Sequence, residues 1–169
     1  MTRTTLKKFA LLSLSGIIVF LLSILIQKIS HESEVESLRQ SLEDFPLIES
    51  DGSQTSSTAL CNGTTVLILF NSTCEHCQAE IKDISEHHVL FKETAVALIS
   101  TEPLEVINAF ASDFKLDNLG HFKCYHVSSD DLYKHFGTVA YPEIYIYKNL
   151  QLTSHLKGEA KAELILENL

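Results

Sequence analysis

The apolar positions of this chain fall into three patterns. One is a continuous block: Phe9 to Ile26 is 18 residues without a charge, preceded by Arg3, Lys7 and Lys8. As a helix, at about 1.5 Å per residue, it reaches roughly 27 Å, just enough to cross a hydrocarbon core. The second pattern is the short buried run. Val66–Phe70 and Ala95–Ser100 are rich in Val, Leu and Ile, and each predicts a strand covered on both faces. The third is helical spacing. Ile81, Ile84 and His88 recur on one side with Lys82 and Glu86 opposite, and Leu104, Ile107, Phe110 and Phe114 share a face after Pro103, with Asn118 to Gly120 as the stop.

The remaining segments fill in the order. Ser33 to Asp44 is polar with Val35, Leu38 and Leu42 at helix-like spacing, which predicts a short stalk helix or spacer. From Phe45, two extended pieces around Asp51-Gly52 predict a hairpin. Phe122 to Val127 is extended and leads to a helix capped by Ser129 or Asp130 and stopped by Gly137. Ile144–Tyr147 and Gln151–Leu156 pair around Lys148-Asn149, and a last helix covers about Glu159 to Asn168. Alternating strands and helices closed by a hairpin and a helix predict an α/β three-layer domain.

Composition and charge sharpen this picture. The chain has 169 residues, 45% hydrophobic and 21% charged, a globular composition with room for one ordinary domain and a smaller part. The first 28 residues hold four basic and no acidic residues; the remainder holds nine basic and 22 acidic, a net of −13. Such a body is repelled by nucleic acid, which is excluded as a partner. The exit of the apolar block, Leu25-Ile26-Gln27-Lys28-Ile29, offers no small-x-small cleavage site, which favours an uncleaved anchor over a signal peptide. The expected organisation is a cytoplasmic tip and transmembrane helix over 1–28 (the span at about 9–26), a polar stalk over 29–44, and a domain over 45–169. The charge bias puts the N-terminus in the cytoplasm and the domain in the periplasm or outside.

The candidate chemistry lies where the first buried run ends. After the turn Asn71-Ser72-Thr73 comes Cys74-Glu75-His76-Cys77 and then the helix of Ile81 and Ile84. Cys74 therefore belongs to the first turn of a helix, where free N–H groups and the positive end of the dipole favour a thiolate. Two cysteines one turn apart can form a disulfide. By position, Cys74 attacks and Cys77 resolves the mixed disulfide. Zinc completed by Cys61, Cys124 or a histidine is the competing reading, but no second close ligand pair accompanies the first. Cys61 and Cys124 form either a structural disulfide or two buried free thiols, and the latter is favoured because nothing brings them together.

The strand–CxxC–helix resembles the active site of the thioredoxin superfamily. The form CEHCQAE is similar to the membrane-anchored TlpA-like branch of redoxin domains, which includes the thiol–disulfide reductases of cytochrome c maturation. The resemblance covers roughly Phe45 to Leu169 and implies a thioredoxin-like fold with an N-terminal β-hairpin and an inserted strand and helix. It implies a redox-active Cys74–Cys77 disulfide and no cofactor or metal. It gives Glu80 the place of the branch's glutamate, which relays a proton or repels the thiolate, although composition alone reads Glu80 as a solvated helix face. It also gives Tyr141-Pro142 the place of the cis-proline that faces the cysteines and an incoming substrate chain; the bland alternative is a strand-entry proline.

His76 pulls the other way from Glu80. A cationic imidazole beside Cys74 favours the reduced form and a more oxidising pair, an effect that Glu75 opposes; in the superfamily, CxHC goes with strong oxidants. The chain departs from its relatives in having Thr73 where many carry an aromatic, Ile68 where thioredoxin carries a buried acid, and Tyr141 where a small residue is usual. The expected function is an extracytoplasmic thiol–disulfide oxidoreductase that reduces disulfide-bearing protein substrates with electrons from a membrane donor. The alternatives are a disulfide-introducing oxidase or isomerase and a non-catalytic thioredoxin-like binding module. A peroxidase is disfavoured, because neither Cys74 nor Cys77 lies in the Pro-x-x-x-Thr-x-x-Cys loop of peroxiredoxins and the only arginines are Arg3 and Arg39.

Overall fold

The computed structural model describes residues 3–61 and 63–169, and for residues 3–15, 29, 31, 32 and 34 only the backbone. The chain divides into two units, Met1–Glu36 and Ser37–Leu169. The first helix, α1, spans Arg3–Gln40.

The anchor expected over Phe9–Ile26 is not supported. Residues 9–15 of that segment lie outside the described side chains. Among the described residues no helix is long and apolar enough to cross a membrane. The single-pass placement, the membrane contact through the N-terminal helix and the inside–outside assignment fall with it.

The second unit is a seven-stranded mixed sheet with helices on both faces. In chain order its elements are β1 (Pro46–Glu49), β2 (Gln54–Ser56), β3 (Thr64–Leu69), α2 (Glu75–Glu86), β4 (Ala95–Ser100) and α3 (Leu104–Asp113). These are followed by β5 (Phe122–His126), α4 (Ser129–Phe136), β6 (Glu143–Lys148), β7 (Gln151–Lys157) and α5 (Ala162–Glu167). The sheet order is β2-β1-β5-β4-β3-β6-β7. β3, β4 and β5 are parallel neighbours, whereas β1, β6 and β7 each join antiparallel.

Alternation along the central strands divides the core in two. Val66, Ile68 and Phe70 point to one face and pack with Ile81 and Ile84 of α2, Ile107 and Phe110 of α3, and Ile165 of α5. Leu67 and Leu69 point to the other and pack with Tyr145 and Tyr147 of β6 and with Leu132 and Phe136 of α4. Both faces are apolar, so the strands read as continuous hydrophobic runs.

The differences from the sequence reading have local causes. The hairpin turn is closed by Gly52 N–H to Glu49 O at 2.9 Å, with Gly52 at φ 84°. Leu42 is only 4% exposed and packs in the core with Phe45 beside α4, so the end of the segment read as a spacer is part of the packed body. The helix cap falls on Ser128, whose Oγ accepts the Asp131 N–H, one residue before the expected Ser129. The last helix starts at Ala162 and not at Glu159, because residues 159–161 are committed to contacts with α2.

Candidate active site

β3 ends at Leu69, and the chain turns through Asn71-Ser72-Thr73 onto α2. Asn71 Oδ1 accepts both the N–H and the hydroxyl of Thr73, at 3.0 and 2.7 Å, and so builds the turn locally. Ser72 is held from outside: its N–H and Oγ donate to the two carboxylate oxygens of Glu102 at 2.7 and 2.6 Å. Gln78 Nε2 donates to Ser72 O at 2.8 Å and ties the turn to the helix it precedes. Cys74 is the N-cap residue of α2, with extended φ and ψ of −79° and 115°.

The two cysteines have different surroundings. Cys74 is half-buried, and its Sγ lies 3.7 Å from the carbonyl oxygen of Tyr141. Cys77 is fully buried, and burial pushes its thiol up to about 12, with Cys74 and Glu80 adding to the effect. Both are free thiols in this structure, as are Cys61 and Cys124. Cys61 is half-buried ahead of β3, while Cys124 is buried in β5, two strands away from β3. Burial, and to a lesser degree Asp117, pushes the Cys124 thiol up to about 12.

The Tyr141–Pro142 peptide is cis. Pro142 is buried and Tyr141 half-buried, so the Tyr141 carbonyl faces Cys74 from the start of β6. Behind this loop lies a buried polar network. Glu143 Oε2 accepts the Tyr145 hydroxyl at 2.6 Å and pairs with His155 Nε2 at 3.3 Å, and Oε1 accepts the Ala140 N–H at 3.4 Å.

Glu80 is fully buried on the face of α2 turned toward the core. Its Oε2 accepts the Ala160 N–H at 2.8 Å, while Oε1 has no hydrogen-bond partner. Burial raises its carboxyl to about 8, against the Ala160 hydrogen bond and with help from the Glu159 charge. His76 is 74% exposed, and its Nδ1 lies 2.9 Å from Glu159 Oε2. Its ring is thus engaged by a carboxylate, while in sequence it adjoins Cys77 and lies two residues after Cys74. Glu75 is exposed in the first turn.

The structure thus brings Cys74, Cys77, Glu80, Tyr141 and Pro142 together and leaves Glu75 and His76 on the rim. Sequence reasoning missed Glu102, Glu159 and Glu143. A usable signal existed for Glu102: β3 and β4 are parallel, so the residues just after both strands meet at the same sheet edge, where α/β sites form. No sequence signal marks Glu159, 83 positions from its partner.

Chemically, the arrangement offers an accessible thiol at a helix start, a second thiol buried behind it, an acid titrating near neutrality within one turn, and a peptide carbonyl beside the accessible sulfur. Solved structures share the fold. A secreted Mycobacterium tuberculosis disulfide oxidoreductase, homologous to E. coli DsbE, matches with a TM-score of 0.63 and 15% identity over 78% of this chain and 96% of its own. StoA from Bacillus subtilis matches with a TM-score of 0.59 and 16% identity over 76% of this chain and 98% of its own. No curated protein matches the chain. The family model described as the AhpC/TSA family matches residues 38–152, and the chain belongs to that redoxin family, with a thioredoxin-like fold.

Proposed function

We propose that the chain reduces disulfides of protein substrates through Cys74 and Cys77. The observation that carries this reading is the asymmetry of the pair: Cys74 is half-buried beside the Tyr141 carbonyl, whereas Cys77 is sealed behind it next to a buried acid. As a thiolate, Cys74 Sγ attacks one sulfur of the substrate disulfide; a mixed disulfide forms and one substrate thiolate leaves. Cys77 then gives up its proton, and its sulfur attacks Cys74 Sγ. The mixed disulfide breaks, the second substrate thiolate leaves, and Cys74 and Cys77 end as a disulfide, oxidised by two electrons.

The second step needs a base, because the Cys77 thiol is held up at about 12. Glu80 suits it: a carboxyl near 8 is ionised in an appreciable fraction of molecules at neutral pH and lies one helical turn away. The Tyr141 carbonyl and the adjoining loop give an extended substrate chain a backbone to pair with. An external dithiol donor restores the reduced pair.

The reductive direction is favoured because the feature that argued for an oxidase, the His76 charge, is shared with Glu159. The test is the midpoint potential of the Cys74–Cys77 couple in the full chain, equilibrated in glutathione or dithiothreitol buffers. A value near or below about −270 mV is expected; one near about −120 mV overturns the reductase in favour of an oxidase.

A further inference from the structure

The four residues between β7 and α5 and the first residue of α5 each touch the cis-proline loop or α2. The Gly158 N–H donates to the carbonyl of Pro142 at 3.0 Å, and Glu159 Oε2 lies 2.9 Å from His76 Nδ1. The Ala160 N–H donates to Glu80 Oε2 at 2.8 Å. Lys161 Nζ lies 3.8 Å from Asp83 Oδ1, and the Ala162 N–H donates to Asp83 Oδ2 at 2.8 Å. This strap joins the cis-proline loop to the helix that carries the cysteine motif. The sequence suits the path: Gly158 takes φ 80°, and Ala160 and Ala162, 3% and 1% exposed, have side chains small enough for the backbone to lie against α2.

Glu80 depends on the strap. Its one hydrogen-bond donor, the Ala160 N–H, belongs to it, and Oε1 is buried without a partner. A carboxyl in such a place responds to nearby charge, because little water screens it. The titratable and charged groups around it are His76, Cys77 and Asp83 of α2 with Cys74 at its cap, and Glu159 and Lys161 of the strap. Glu159 sits at the centre of this set, bonded to the motif on one side and adjoining Ala160 on the other.

We propose that Glu159 is a positioning residue of the thiol–disulfide reaction: by gripping His76 inside the cysteine motif, it seats the strap on α2 and thereby governs the surroundings of Glu80. This rests on the reading above that Glu80 takes the Cys77 proton. Glu159 acts in two ways. Its bond to His76 keeps Ala160 where it can donate to Glu80, and its charge disfavours the Glu80 carboxylate. Glu159→Gln separates the two, since the amide oxygen still accepts from His76 but carries no charge. Glu159→Ala loses both.

The experiment follows the Glu80 carboxyl carbon by NMR in the reduced full chain labelled in glutamate, with the resonance assigned by its loss in Glu80→Gln. The wild-type midpoint is expected to fall by a few tenths of a pH unit in Glu159→Gln, as the repulsion goes. It should fall by roughly one unit or more in Glu159→Ala, as water also reaches the carboxyl. A purely structural role would lower the thermal unfolding midpoint of both variants and leave the Glu80 titration in the folded protein unmoved. That outcome, or an upward shift in Glu159→Gln, overturns the proposal. The readout needs no substrate, so an unexpected redox potential would refute the reductase reading without touching this one.

Discussion

One carboxylate holds Ser72 twice: Glu102 Oε2 accepts its N–H at 2.7 Å and Glu102 Oε1 accepts its hydroxyl at 2.6 Å. Because Ser72 lies two residues before Cys74, Glu102 fixes the turn that aims the attacking sulfur. Glu102→Ala leaves both donors without this partner in a partly buried place. A loss of about 2–3 kcal/mol in urea unfolding is expected, together with a fall of roughly tenfold in disulfide reduction as Cys74 loses its aim. Glu102→Gln retains one acceptor and should lose about half as much stability. Unchanged turnover in Glu102→Ala would show that the turn is set by Asn71 alone.

The difference in access between the two cysteines predicts which variant traps partners. Cys77→Ser leaves Cys74 able to form a mixed disulfide and removes the sulfur that resolves it, so complexes that dissociate only under reductant should accumulate. Cys74→Ser should trap none, because Cys77 is fully buried. Cys61→Ser and Cys124→Ser, combined with Cys77→Ser, should leave the trapped complexes unchanged. The assay is a non-reducing gel after incubation with an unfolded disulfide-bearing protein. Equal trapping by the two active-site variants would overturn the assigned roles.

How much of this was legible depends on whether each contact is local. Ala95–Ser100 could be bounded to the residue because a run of apolar residues buried on both faces leaves no alternative period. Asp51-Gly52 marked its hairpin because a positive φ needs glycine there. Glu80 was different. On α2 alone it occupies an ordinary polar position, and it is buried by a strap some 80 residues further on, which no periodicity in α2 records. The same strap shortened the last helix: residues 159–161 have helix-forming side chains, but the Ala160 N–H and the Glu159 and Lys161 side chains are held on α2. Glu143 was passed over for a related reason. A strand-entry glutamate reads as solvated unless Tyr145 and His155 are known to turn toward it. The apolar block near the N-terminus was read as a span from its lack of charge alone, and among the described residues no helix is long and apolar enough to cross a membrane.

Glu143 carries a prediction of its own. It is 3% exposed and accepts from Tyr145, His155 and the Ala140 backbone. Glu143→Ala strands a buried hydroxyl and a half-buried imidazole, and should cost about 2–4 kcal/mol in urea unfolding. Tyr145→Phe should cost about 1 kcal/mol alone and less in the Glu143→Ala background, since the bond it removes is already gone. Strict additivity of the two would show that the hydroxyl and carboxylate do not cooperate.

The pH dependence of stability follows from groups on opposite sides of the sheet. Glu80 titrates near 8 in the folded chain against an ordinary 4.5. As pH rises past 4.5, the unfolded chain releases this proton while the folded chain keeps it, so the stabilisation is full below about 4.5 and is lost up to about 8. At about 1.4 kcal/mol per unit, the ceiling is near 5 kcal/mol. His135 and His155 act at the other end. Burial first, with Lys134 and Lys157 respectively adding, holds both below the ordinary 6.5 despite Glu43 and Glu143. As pH falls below 6.5, the unfolded chain gains protons that the folded chain refuses, and stability drops again. The two limbs overlap between pH 4.5 and 6.5, which tempers the gain from protonating Glu80. Glu80→Gln removes the alkaline limb alone. Urea unfolding of the reduced chain at about pH 5 and about pH 9 should show wild type losing stability with rising pH and Glu80→Gln losing much less, so that the variant is the more stable at the higher pH. Parallel curves for the two proteins would mean that Glu80 is already ionised in the folded state, and the base assigned to Cys77 would have to be sought elsewhere.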